Sequence, residues 1–334
     1  MHLSHQLAPL SVRGNRIIDA CTGNAVTLRG VNRSGLEYSS PACWTPLAGI
    51  TEHEIAEMVE HWGANIIRLP FNQEWALARP GYDPQLYRSA IEAVVEMAAR
   101  RGAYTLLDLQ WLDARTMRGT VSGQPNYVAP LPDSESISLW KQLAALWSDE
   151  PAILYDIFNE PHDVLPDDQA PVFGIREDQS TFRVRRRRVG PGEWHPWARQ
   201  LIGAIRGVHP DALIFVPGTE WAYDLRGHPL PGITGIVYST HVYPGKRIPW
   251  DDAFGYLADV APVFVGEWGG GGGDLTWGRQ LLAYLEKRHI GWTAWSWSDH
   301  PRLIEPATEY TATPFGAVVK MALNGSNPGH PLTS

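Results

Sequence analysis

The stretch Ile153–His162, ILYDIFNEPH, decides how the rest of the chain is read. From Ile153 to Phe158 it is apolar except for Asp156, a run too short for a helix and suited to a strand. A nearly continuous apolar run, rather than an alternating one, fits a parallel strand covered on both faces. The run then ends in Asn159, Glu160 and Pro161. Proline has no N–H to give to strand pairing, so the strand stops there. A carboxylate at the mouth of a buried strand is costly unless it is solvated, partnered or used.

Seven other segments repeat the pattern: VTLRGVN (26–32), NIIRLPF (65–71), YTLLDLQW (104–111), ALIFVPG (212–218), GIVYSTHVY (235–243), PVFVGEW (262–268) and IGWTAWSW (290–297). Helical patterns lie between them. TEHEIAEMVEHWG starts with Thr51 and Glu54, a capping-box spacing, and closes at Gly63. DPQLYRSAIEAVVEMAARRG has Asp83 at its start, Pro84 just inside and apolar residues at helical spacing. SESISLWKQLAALWSDEP, GEWHPWARQLIGAIRGVHP and DLTWGRQLLAYLEKRHIG continue the alternation, and only the link 218–235 lacks a helix pattern. Eight strands alternating with helices predict an α/β fold, a single (β/α)8 TIM barrel, with a doubly wound open sheet as the alternative. No Gly-x-Gly-x-x-Gly follows the first strand, which weighs against a dinucleotide fold. Residues 10–25 read as an N-terminal β-hairpin closing the bottom of the barrel. No linker is visible, so 1–334 is read as one domain.

Two segments break the rhythm. Residues 162–192 form a long insertion after the fourth strand, with DVLPDD followed by an arginine-rich run at 183–188. Long loops at a barrel's C-terminal face are often functional. The arginines read as a solvated loop pairing with the acidic stretch, or alternatively as a contact for an anionic substrate or partner. The run GGGGG (269–273) has no Gly-Lys-Ser/Thr after it and reads as a loop without side chains to obstruct a ligand, not as a phosphate cradle.

The net charge of −8 gives no reason to expect nucleic acid or an anionic membrane as partner. No apolar run approaches the roughly 18 residues of a membrane span. The opening residues lack a basic region followed by an apolar core, so no signal peptide is expected; a trimmed secreted or periplasmic form stays open. Cys21 and Cys43 read as free thiols, with a disulfide as the alternative. The chain is expected to act as a monomer. Its 15 tryptophans exceed what a core needs, and flat amphipathic rings at a surface suit sugar faces.

In a barrel of this kind the C-terminal strand ends converge on one cleft. Those ends carry Asn32, Arg68, Asp108 with Gln110, Asn159 with Glu160, His241 with Tyr243, Glu267, and Trp295. Glu160 and Glu267 each follow an apolar run. Glycoside hydrolysis needs two carboxyl groups around one bond, one neutral to protonate the leaving oxygen and one ionised to attack or to activate water. Their environments must differ. Arg68 and Tyr243 are placed to keep Glu267 anionic, whereas a negative neighbour and reduced solvent are placed to keep Glu160 protonated. Other constellations fail. HEIAE (53–57) ends in Glu57 where a zinc helix needs His, and no Gly-x-Ser-x-Gly occurs. No cofactor or catalytic metal is expected.

ILYDIFNEPH resembles the signature of glycoside hydrolase family 5, in which Asn-Glu-Pro ends the fourth strand. The resemblance extends to LRGVN (28–32), IIRLPF (66–71), THVY (240–243), FVGEWG (264–269) and AWSWSD (294–299). It implies Glu160 as acid/base and Glu267 as nucleophile, with retention of anomeric configuration. It further implies that Arg68 supports the nucleophile's charge and that Asn159 binds the sugar 2-hydroxyl. His241 would sit beside the acid/base, Tyr243 would bond the nucleophile, and Trp295 would stack under the sugar. One departure stands out: many members end the third strand Asp-x-His, where this chain has Asp108-Leu109-Gln110. Gln can bond a hydroxyl but carries no proton at neutral pH.

Trp44, Trp75, Trp111, Trp221 and Trp268 follow strand ends and are read as rim residues for successive sugars; Trp62, Trp140 and Trp147 are read as packing between helix and barrel. The resemblance and the aromatic rim imply a polysaccharide or oligosaccharide partner, with β-1,4-glucan first. Mannan, xyloglucan and end-trimmed β-glycosides stay open, as does blockage of one end of the cleft by 162–192. A sugar-binding barrel without catalysis, and transglycosylation, are the rival readings.

Overall fold

The computed structural model describes residues 7–39, 49–78, 83–112, 128–163, 173–175, 181–183, 188–270, 275–306 and 308–325. Two short strands, β1 (Leu10–Arg13) and β2 (Arg16–Asp19), pair antiparallel. The barrel begins with β3 (Arg29–Asn32), β4 (Ile66–Asn72), β5 (Tyr104–Trp111) and β6 (Ile153–Asp156). Within the 162–192 insertion, β7 (Phe173–Ile175) and β8 (Thr181–Arg183) make a second antiparallel pair. The barrel continues with β9 (Ile214–Pro217), β10 (Ile236–Val242), β11 (Val263–Trp268) and β12 (Gly291–Ala294). All eight of its strands are parallel, and β12 pairs with β3 through Trp292↔Arg29 to close the ring. The expected (β/α)8 barrel is what the chain forms.

Alternate residues of a strand face opposite sides, and this periodicity builds the interior from the bottom upward. Leu28, Ile66, Tyr104, Leu106, Leu154, Leu213, Phe215, Val237 and Phe264 pack into one buried cluster, with Phe215 edge-on to Phe264 at 5.2 Å. Leu10 and Ile17 of the hairpin belong to the same cluster, so the hairpin plugs the N-terminal end as expected. Two further bonds pin this end: Tyr104 Oη donates to the Ala8 carbonyl at 2.7 Å, and Asn15 Nδ2 to the Ala258 carbonyl at 2.7 Å. Each such side chain fully removed from water contributes about 1.5–3 kcal/mol. Two residues further along the strands the interior turns polar: Arg68 after Ile66, Asp108 after Leu106, Asp156 after Leu154. The apolar floor thus sets the height at which the polar groups sit.

The intervening residues face outward onto helices. α1 (Glu52–Ala56) is capped by Thr51, whose Oγ1 accepts from the Glu54 N–H at 3.1 Å, and runs into a π-helical turn (Glu57–His61). Glu54 does not return the bond of a capping box; it is buried against Arg33 at 3.0 Å instead. Short α2 (Gln73–Ala76) precedes α3 (Pro84–Ala99), which starts at Asp83 with Pro84 in its first turn. α4 (Ser134–Leu146), α5 (Pro191–Arg206), short α6 (Trp250–Ala253) and α7 (Leu275–Arg288) follow. α8 (Pro314–Leu323) lies beyond the last segment that the sequence reading divided into elements. The link 218–235 contains no helix. Trp62 and Trp140 are fully buried and Trp147 nearly so, as expected of helix-to-barrel packing. Cys21 is an exposed free cysteine; Cys43, Trp44 and most of the arginine run lie outside the described residues.

Closure at β3 and β4 depends on Gly30, where a Cβ would stand 1.7 Å from the Ile66 carbonyl oxygen. Backbone cannot yield as a side-chain tip can. Gly30→Ala is therefore expected to lose at least ~1–3 kcal/mol of stability, read as a lower urea midpoint.

Candidate active site

β11 delivers its carboxylate through a break in alternation. Phe264 points into the barrel, so strict alternation would point Gly266 and Trp268 inward and Glu267 outward. The pairing of β10 with β11 instead runs Thr240↔Val265 and then His241↔Glu267, leaving Gly266 as the extra residue of a bulge. The bulge turns Glu267 into the barrel mouth. Only glycine fits there, since a Cβ would meet Ser239 Oγ at 2.7 Å and His241 Nε2 at 3.0 Å. The same shift corrects one expectation. Trp268 does not reach the cleft; it is fully buried on the outer side, edge-on to Trp292 at 5.7 Å and Phe315 at 5.3 Å. Trp75 also leaves the rim, 2 % exposed and packed on Tyr87.

Arg68 is the centre of the mouth and fully buried. Its Nη1 donates to Glu267 Oε1 and Asn32 Oδ1, both at 2.9 Å, its Nη2 to Asn159 Oδ1 at 2.9 Å, and its Nε to Asp156 Oδ2 at 3.0 Å. Asp108 Oδ1 also lies 3.0 Å from Nη2, yet neither Asp108 oxygen has hydrogen-bond geometry to a partner. Burial opposes the charge on Arg68, but Asp108, Asp156 and Glu267 outweigh it, so the guanidinium stays protonated. The carboxyls compete for that single cation. Burial pushes Asp108 well above the usual carboxylate range despite Arg68, and pushes Asp156 up to about 6. Asn32 is fully buried, and its Nδ2 donates to the Gly266 carbonyl at 3.0 Å, so it braces Arg68 and the bulge rather than opening to the cleft.

Glu267 and Glu160 receive different company. Glu267 accepts from Arg68 and, through Oε2, from Tyr243 Oη at 2.7 Å. Tyr243 keeps its proton, because burial and then Glu267 raise its pKa well above the ordinary value. Glu160, with 18 % of its side chain exposed, accepts one bond, from His241 Nδ1 at 2.8 Å. Burial pushes the Glu160 carboxyl up to about 7, while His162, Lys246 and Arg68 pull it back. Of the two causes expected to hold its proton, reduced solvent is the one at work, and no negative neighbour is among the groups that raise it. Burial also pushes His241 down to about 3, so the ring is neutral. Carboxylate and imidazole atoms of Glu160, His241 and Glu267 all lie within 4.8 Å of one another. The arrangement can give a proton from one side of a small gap and a nucleophile from the other.

Around this centre, Trp295 begins the loop after β12, with its N–H on the Trp268 carbonyl at 2.8 Å and a cis peptide to Ser296. Gln110 is partly exposed, and Trp111 lies 6.2 Å from Tyr38, whose hydroxyl donates to Asp299 at 2.8 Å. After β9, Trp221 stacks on His162 at 3.8 Å, and Lys246 Nζ lies 3.5 Å from the Glu220 carbonyl and 5.2 Å from the centre of the Tyr223 ring. The sequence reading missed Asp156, His162, Lys246 and the Tyr38–Asp299 pair. Asp156 did leave a signal: it is the one charged residue inside an apolar run, on the inward face with Leu154. The others sit in loops, where spacing carries no facing information.

The family description "Cellulase (glycosyl hydrolase family 5)" matches residues 20–301. An endoglucanase of Paenibacillus polymyxa is 28% identical over 85% of this chain and 78% of its own length. An endoglucanase of Microbulbifer sp. (strain ALW1) is 27% identical over 87% of this chain but 51% of its own, so the chain spans about half of that relative. Among solved structures, a β-glucanase of Saccharophagus degradans, also solved with cellotetraose, superposes with a TM-score of 0.73 at 24% identity, covering 96% of this chain and 95% of that one. With the family pattern spanning the whole barrel, the chain belongs to the cellulase family, glycosyl hydrolase family 5.

Proposed function

We propose that the protein is a retaining endo-β-1,4-glucanase, with Glu160 as acid/base and Glu267 as nucleophile. One observation carries this reading: the two carboxyl groups come within 4.8 Å across a single gap. Retaining enzymes hold them about 5–5.5 Å apart, whereas inverting ones leave roughly 6.5–9.5 Å for a water. In the first step a Glu267 oxygen attacks the anomeric carbon while Glu160 gives its proton to the departing glycosidic oxygen. That leaves a glycosyl ester on Glu267 and a free sugar end. Glu160, now ionised, then takes a proton from water as the water oxygen displaces Glu267, and the carboxyl is reset. Arg68 and Tyr243 hold Glu267 in line for attack. Asn159, whose oxygen is taken by Arg68, is left with its NH2 group for a sugar hydroxyl.

Substrate choice rests on the relatives and on the aromatic ends of the cleft. Matched proteins are named endoglucanases, and a structural neighbour holds cellotetraose. Trp111, Trp221 and Trp295, partly exposed at or after the C-terminal ends of β5, β9 and β12, offer flat faces to glucose rings.

Hydrolysis of carboxymethylcellulose and cellotetraose tests the reading. Glu160→Gln and Glu267→Gln should each lower kcat by at least ~10³-fold with an unchanged melting curve; a near-parental rate in either variant would overturn the assignment. Proton NMR of the fresh product should show the β anomer first. The pH dependence has a definite sign. Glu160 works as an acid only while protonated, and its carboxyl is pushed up to about 7, so kcat/KM should fall as pH rises through about 7.

A further inference from the structure

His162 is buried beside the acid/base, and nothing in the mechanism above uses it. Its Nδ1 lies 2.7 Å from the Glu160 carbonyl oxygen and its Nε2 3.2 Å from the Val128 carbonyl oxygen. Both partners are acceptors only. A neutral imidazole has one N–H and one lone pair, so it would turn a lone pair onto one of the two carbonyls. Only the imidazolium donates to both. The ring also lies flat on Trp221, centres 3.8 Å apart and planes 11° from parallel, an arrangement that favours positive charge over the π face.

The same contact joins two loops. Trp221 N–H donates to the Pro161 carbonyl at 3.1 Å, so the Glu160–His162 strap and the turn after β9 are tied by a hydrogen bond and a ring stack. That turn needs tying. Glu220, Trp221 and Ala222 have φ of 57°, 61° and 57°, three consecutive non-glycine residues in the left-handed region. Each costs roughly 1–2 kcal/mol. Strain of this kind persists where surrounding contacts hold it, often at functional sites.

We propose that His162 is a positioning residue that works as an imidazolium: it braces the strap carrying Glu160, seats Trp221 on the leaving-group side, and stabilises the Glu160 carboxylate as the proton departs. This rests on the role given to Glu160 above. The charge makes Glu160 a stronger acid when the leaving group is poor, and it favours the ionised form needed for the second step. It agrees with His162 being the first of the groups that pull the Glu160 pKa back down. Among the described residues, the other charges facing this spot are Arg68 and Glu267 beneath, Lys246 from the loop after β10, and Glu220 with its partner Arg188 at 3.1 Å beyond Trp221; Asp163 follows in sequence.

The test needs no assumption about substrate in its first arm. Imidazole 15N NMR at about pH 8, ~1.5 units above the ordinary histidine value, should show one ring with hydrogen on both nitrogens. That signal should be missing from both His162→Gln and His162→Phe. A ring at that position with one bare nitrogen overturns the proposal, whether or not the protein hydrolyses any glucan. The second arm is kinetic. In both variants the basic limb of kcat/KM should move up by at least ~0.5 pH unit, because a cation near Glu160 is gone. His162→Phe keeps a flat ring on Trp221 and so separates charge from stacking. The loss in kcat/KM should be about tenfold or more on cellotetraose, and less than about twofold on dinitrophenyl cellobioside, whose leaving group needs little protonation. An unmoved basic limb, or equal losses on the two substrates, would mean a merely structural role and sink the idea.

Discussion

Arg68 is the constraint around which the mouth of the barrel is arranged. A guanidinium with no access to water is held by five side chains from four strands or their ends: Asn32, Asp108, Asp156, Asn159 and Glu267. One positive charge faces three carboxylates, so the cluster cannot be fully ionised at low cost. Burial resolves the excess by raising Asp108 and Asp156, which share the guanidinium on its inner side. Breaking such a cluster by deleting one member typically costs ~3–5 kcal/mol, because the remaining charge stays buried without its partner. The barrel therefore commits stability to one rigid cation. What it gains is a fixed position for the Glu267 carboxylate that the bulge at Gly266 turns inward.

The two catalytic candidates are chemically identical, and only their neighbours separate them. Glu267 has donors on both oxygens, one of them cationic; Glu160 has one bond from a neutral imidazole and sits where burial raises its pKa to about 7. Asymmetry of this sort lets one site run acid and nucleophile chemistry at the same pH. His241 touches both carboxyls, at 2.8 Å and 3.7 Å, and being neutral it adds no charge that would level them.

Much of this was legible in the sequence, for a reason of geometry. All eight strands were found because apolar runs of strand length, bounded by helix patterns, leave few alternatives. The residues at their C-terminal ends could be named because the fold sends those ends to one place. Facing was harder. Glu267 and Trp268 are neighbours on one strand and cannot both point inward, and strict alternation picks the wrong one, since the bulge at Gly266 decides it through pairing with β10. The glycine was the available clue: inside a strand it marks a bulge or a close backbone approach. Trp75 was misread for a related reason, as an aromatic just past a strand looks the same whether it turns to solvent or into the packing of a following helix. Loop residues such as His162 and Lys246 acquire their meaning from partners distant in sequence, and no local pattern announces them.

Strands and loops consequently divide the work along different physical lines. The strand residues Arg68, Asp156, His241 and Glu267 are buried and cross-bonded, so their positions follow from barrel closure and tolerate little change. Trp111 at the very end of β5 and the loop residues Trp221 and Trp295 are only partly buried. They are held by a few contacts, of which the left-handed turn at Glu220–Ala222 shows the cost most plainly. Chemistry on the rigid part and recognition on the adjustable part means that the choice of glycan can drift by altering loops while the bond-breaking geometry stays where the barrel puts it.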